Sequence, residues 1–252
     1  MINLFSSFIY DPTRFSEYRD RWLLAVDSSI CYLASHPSPS PNNTFTNLTF
    51  LAEFQNTTLI LNSEHLMCFD GGNFILGGIV LQNTTLVDFG LKLVDSCHQT
   101  YNATATGIGP ERFSWNPAAV PADQSSFFAE HGFYITDASY DLRPEVVESY
   151  YYAYRVTGDR KYQDWAWDAF VAINASTRTD SGFSSISDVN APGGGKKTDL
   201  QESFLFAEVM KYAYIIHVGD AEWQVQNSTR QGWVFNTEAH PLKVVGPAPG
   251  GY

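Results

Sequence analysis

Apolar positions return with helical spacing through most of this chain. Across 11–35, Phe15, Trp22, Val26 and Ile30 fall on one side of a helix, with Asp11 as a cap and Pro12 in the first turn. The same periodicity, bounded by Gly, Pro, Asp or Asn, predicts helices over 71–82, 86–103, 143–158, 159–176 and 200–217. Gly158 can adopt the left-handed geometry that ends one helix, and Asp159 can cap the next, so these two should form an antiparallel hairpin. Three prolines within 35–43 break the pattern, and 49–54 and 57–61 read as short strands around a turn at Asn56. The segments 131–142 and 181–199 combine β-formers with a glycine run and read as hairpin loops.

The expected fold is therefore mainly α: stacked helical hairpins carrying small β-hairpins. No linker divides residues 1–252, which read as a single domain. Hydrophobic residues make up 44% of the 252, enough for a substantial core. The 18 Phe, 14 Tyr and 6 Trp suit stacking on sugar rings as well as packing.

A net charge of −12 with no basic stripe excludes nucleic acid as a partner. Asn-X-Ser/Thr acceptors occur at Asn42, Asn47, Asn56, Asn83, Asn102, Asn174 and Asn227, which points to a glycosylating lumen or secretion. Three cysteines suit that oxidising compartment, with one thiol left over. The opening MINLFSSFIY does not make a signal peptide, and no stretch is long enough to span a membrane. A luminal protein without an entry signal suggests a missing N-terminal part.

Several polar groups could carry chemistry. Arg143, Glu145 and Glu148 fall in the first turns of one predicted helix behind Pro144, where two carboxylates repel unless a cation, solvent or hydroxyls separate them. Acids that simply complement the helix N-terminus explain the same spacing. Phe204 and Glu208, four apart, pair an aromatic platform with an acid. His65 precedes a glycine pair and is undecided between a structural and a functional role. Thr237 offers hard oxygens for Ca²⁺ beside Asn236, Glu238 and His240. His and Cys are too scattered for zinc, and the glycine runs lack the strand and helix that a nucleotide loop needs.

In order along the chain, HLMCFDGG, TGIGPE, YDLRPEVVES, YRVTGDRKYQDWAW, GFSSI, ESFLFAEVMKY and VFNTEAHPL resemble the glycoside hydrolase family 47 α-1,2-mannosidases, over about Cys31 to Pro241. The resemblance implies part of an (α/α) barrel that removes α-1,2-linked mannose from oligomannose N-glycans, with inversion and Ca²⁺, in the ER, the Golgi or outside the cell. It implies Glu145 as the base that activates water and Glu111 as a further active-site acid, sometimes assigned as proton donor. His65, Arg143, Glu148, Phe204, Glu208 and Glu238 would line the mannose subsite or hold water around the ion, which Thr237 would bind directly. Cys68 and Cys97 match the family's disulfide, leaving Cys31 free.

The family's general-acid Glu and a second catalytic Asp lie upstream of its matching motifs, and nothing before Phe8 resembles them. Turnover by this chain is therefore expected to be impaired, and a missing part of the same barrel is an expected partner. A non-catalytic mannose-binding module is the competing expectation.

Overall fold

The computed structural model describes residues 2–37 and 47–244, with side chains from residue 4, so the acceptor at Asn42 lies outside the described residues. The chain opens with α1 (Ile2–Tyr10), which the sequence reading did not assign, packed on α2 (Ser16–Tyr32). Phe5, Phe8 and Ile9 form the buried stripe of α1 and meet Trp22 of α2. The expected start at Asp11 moves to Ser16, because the Asp11 carboxylate accepts the Arg14 backbone N–H at 3.0 Å and closes a turn instead.

The strands β1 (Ala34–Ser35) and β2 (Phe50–Leu51) pair, and β3 (Glu53–Gln55) and β4 (Thr58–Ile60) form the expected hairpin. Its turn places Asn56 and Thr57 at φ 47° and 68°, the mirror-image geometry that suits strand twist. The next strand, β5 (Asn62–Glu64), leads into a short 3₁₀ turn, His65–Cys68.

At the centre lies α3 (Phe69–Val80), whose residues from Asp70 to Val80 are all buried against α4 (Thr84–Asn102) and a later helix. Its glycines permit close packing: a Cβ on Gly77 would stand 2.0 Å from the Trp22 ring. Asn83 caps α4 by accepting from the Leu86 N–H. A disulfide between Cys68 and Cys97 ties the turn before α3 to α4, and Cys31 is free and exposed.

A three-stranded antiparallel sheet joins β5, β6 (Arg112–Ser114) and β7 (Tyr134–Asp137), with the short α5 (Ser125–His131) between the last two. Next come α6 (Glu145–Thr157) and α7 (Lys161–Thr177), hinged at Gly158 in the left-handed region, where the Asp159 carboxylate accepts from the Lys161 N–H. The expected hairpin over 181–199 reduces to single bridges, with Ile186 contacting Tyr140 and Lys197.

The helix expected over 200–217 starts at Phe204, opens with a π-helical turn, Leu205–Val209, and continues as α8 (Met210–Ile215). A last hairpin pairs β8 (Trp233–Phe235) with β9 (Pro241–Lys243). Ser6 of α1 donates to the Phe235 carbonyl and Lys211 to that of Ala239, which fixes the hairpin against both ends of the helical body. The fold is mainly α, a partial (α/α) barrel carrying four separate small β-sheets among the described residues.

Candidate functional site

The first turn of α6 supplies the charged centre. Leu142, fully buried, sits at φ 59°, a strained backbone held by packing, and it delivers Arg143 and Pro144 to the helix start. The Arg143 guanidinium lies 2.6 Å from Glu111, whose other oxygen accepts the Asp141 N–H. Both Glu111 oxygens thus act as acceptors, and Glu111 stands behind Arg143, off the cavity wall. Glu145 lies 2.8 Å from a ring nitrogen of His65, which is also off the wall.

A cavity of about 260 Å³ is lined by Leu66, Phe69, Arg143, Pro144, Glu145, Glu148, Phe204, Glu208, Thr237 and Glu238. Its size, below the ~300–1,000 Å³ of drug-sized sites, suits one sugar ring. Phe204 and Glu208, four apart across the start of the π-turn, share this wall. Thr237 and Glu238 come from the exposed tip between β8 and β9, where the Asn236 side chain accepts the backbone N–H groups of Glu238 and His240.

A larger groove of about 590 Å³ by the α3–α4 corner has Asp88 as its single ionisable lining residue and is poorly equipped for chemistry.

Four carboxylates face one guanidinium around the smaller cavity. Burial, then Glu145 and Glu208, push Glu148 well above the usual carboxylate range, against the hydrogen bond from Tyr212 at 3.1 Å. Burial, then Glu238 and Glu145, raise Glu208 to about 8, while Lys211 pulls the other way. A cation would relieve this crowding of acids. Among the described residues no three His, Cys, Asp or Glu side chains converge tightly enough to grip an ion by themselves. Thr237, with a hydroxyl and a carbonyl, places hard oxygen donors of the kind Ca²⁺ takes on the same wall as the carboxylates.

Sequence reasoning missed Leu66, Phe69 and Pro144 on the wall, and Tyr101, Tyr140 and Tyr212 behind it. Leu66, exposed in the turn before α3, and Phe69, the first residue of α3, both belong to the HLMCF motif, a hint that periodicity alone did not carry. The tyrosines read as core, which they also are.

Residues 3–244 match Glycosyl hydrolase family 47. The chain is similar to the mannosyl-oligosaccharide alpha-1,2-mannosidase of Penicillium citrinum, 56% identical over 241 residues, covering 96% of this chain and 46% of that one. That of Coccidioides posadasii is 57% identical over 242 residues, again 96% and 46%. Among solved structures, the alpha-1,2-mannosidase from Trichoderma reesei superposes with a TM-score of 0.91 at 47% identity, covering 96% of this chain and 50% of the other. The chain thus spans about half the length of the curated relatives it matches.

Proposed function

The chain belongs to glycosyl hydrolase family 47, and on that premise we propose that its cavity takes the terminal α-1,2-linked mannose of oligomannose N-glycans, with Ca²⁺. The observation that carries this is the meeting of Arg143, Glu145, Glu148, Phe204, Glu208, Thr237 and Glu238 around one sugar-sized space. In this reading Phe204 stacks on the pyranose, while Glu148, Glu208 and Glu238 accept its hydroxyl protons or those of bound water. Arg143, steadied by Glu111, donates to substrate oxygens. Glu145 takes the proton of the attacking water, as the base of an inverting reaction. Bound Ca²⁺ would orient hydroxyls and water near Thr237 and offset the acids.

Inversion needs a second carboxyl across the scissile bond, roughly 6.5 to 9.5 Å from the first. Glu111 faces Arg143 and Asp141 instead of the cavity, so we assign it a supporting role and expect mannose release by this chain alone to be impaired. A missing part of the same barrel would supply the acid. The acceptors Asn47, Asn56, Asn83, Asn102 and Asn227 are exposed, which supports a luminal or secreted setting. No helix among the described residues is long and apolar enough to cross a membrane.

Calorimetric titration with α-1,2-mannobiose, with Ca²⁺ and then with chelator, tests the reading. Binding that vanishes on chelation and in Glu208→Ala is expected, with no mannose released. Binding indifferent to both changes would refute it, and release of mannose would place the acid within this chain.

A further inference from the structure

Tyr212 does not line the cavity, yet it touches one of the acids that does. Its hydroxyl, on α8, donates to Glu148 Oε1, on α6, at 3.1 Å. Tyr212 is 0% and Glu148 4% exposed, so water is a poor substitute for either partner. Among the described residues Oε1 accepts from no other protein group and Oε2 from none, while the Glu148 side chain lines the cavity. The Tyr212 ring is wedged between Tyr151 at 5.6 Å and Phe235 at 6.2 Å, which gives its hydroxyl a fixed place.

Glu148 needs such a tether. It stands one turn from Glu145 on α6 and faces Glu208 from the neighbouring helix, and repulsion between these acids favours its swinging away from the sugar space. A neutral hydroxyl holds one oxygen in place without cancelling the charge, as a lysine there would. Tyr151, its neighbour, has a phenol with a purely structural contact: its oxygen accepts the Val225 N–H at 3.0 Å.

We propose that Tyr212 is a positioning residue for sugar recognition, which holds Glu148 Oε1 so that Oε2 is presented to a mannose hydroxyl. This rests on reading Glu148 as part of the mannose subsite. Tyr212 thereby ties α6 to the helix that carries Phe204 and Glu208, and sets the spacing between two walls of the cavity.

The test is calorimetric titration with α-1,2-mannobiose in the presence of Ca²⁺. Tyr212→Phe should weaken binding roughly tenfold to a hundredfold, the range for a hydrogen bond to a charged group. Replacing Tyr212 by p-aminophenylalanine restores a donor at the same place and should recover most of the affinity. Tyr151→Phe deletes the neighbouring buried hydroxyl and should leave the affinity unchanged. Binding that survives Tyr212→Phe, or that falls equally in Tyr151→Phe, overturns the inference. Should Tyr212→Phe fail to fold, NMR of the buried Tyr212 hydroxyl proton in the unaltered chain decides: it should shift when mannobiose binds, and a signal indifferent to bound sugar overturns the inference. An unaltered chain that binds no mannobiose sinks the functional reading and this inference with it, whereas sugar bound equally by Tyr212→Phe sinks the inference alone.

Discussion

Reducing the Cys68–Cys97 bond gives a sharp test of how the site is anchored. The bond closes a loop of 29 residues that contains all of α3 and most of α4. From the restricted freedom of the unfolded chain, a loop of that size contributes about 3.6 kcal/mol at 25 °C, or roughly 400-fold in the folding equilibrium. Both sulfurs belong to residues less than 10% exposed, so the folded packing has little slack to absorb the loss. Urea unfolding of oxidised and reduced protein, followed by tryptophan fluorescence, measures the difference. Cys31→Ser is the control, since that thiol is exposed and unbridged. Cys68 ends the turn that begins at His65, and Cys97 sits four residues before Tyr101, so reduction should also weaken mannose binding. A stability loss below about 1 kcal/mol would refute the entropic reasoning, because the unfolded chain would then be restricted without the bond.

Gly77→Ala forces a Cβ into the Trp22 ring and should cost about 1–3 kcal/mol in urea unfolding, with part of the loss recovered by Trp22→Leu. Glu111→Gln leaves Arg143 with a neutral partner and should weaken mannobiose binding roughly tenfold, as read by calorimetry. Burial, then Lys161, lowers His98 to about 4 where it stacks on Trp165 at 3.6 Å. Its contribution is present above the ordinary histidine value of 6.5 and is lost as pH falls towards 4, so His98→Gln should flatten that limb of the stability curve, worth ~3 kcal/mol. Glu208 works in the opposite sense: without metal, stability should fall as pH rises from 4.5 to about 8, and added Ca²⁺ should restore the melting temperature at pH 8.

Helices α3, α4, α6 and α7 were legible because each buries a periodic face and ends on a Gly, Asn or Asp signal. The Asn56 hairpin was legible because its turn is local. What escaped depends on distant partners. Asp11 could cap a helix or close a turn, and packing of α1 on α2 decided for the turn. The β5–β6–β7 sheet joins residues up to 75 apart, and nothing near Ser63 announces Phe113. In the site, Arg143, Glu145 and Glu148 stood out as charges at a helix start, and Phe204 with Glu208 by spacing. Tyr101 and Tyr140 did not, because a buried aromatic whose hydroxyl reaches His65 or the Arg143 carbonyl looks like any other core residue.

The widened turn at Leu205–Val209 makes the cavity sensitive to chain length as well as to side-chain identity. Removing one residue between Phe204 and Glu208 would tighten the coil to regular α-geometry, and the flanking segments would keep nearly their bearing, because the widened turn had absorbed the extra residue. The pair would then stand three apart, about 60° from each other round the axis. Phe204 and Glu208 would no longer line up on the cavity wall, while Tyr212 and the rest of α8 kept their packing. A shortened variant of this kind would stay folded yet grip mannose poorly, separating recognition from stability with a single codon.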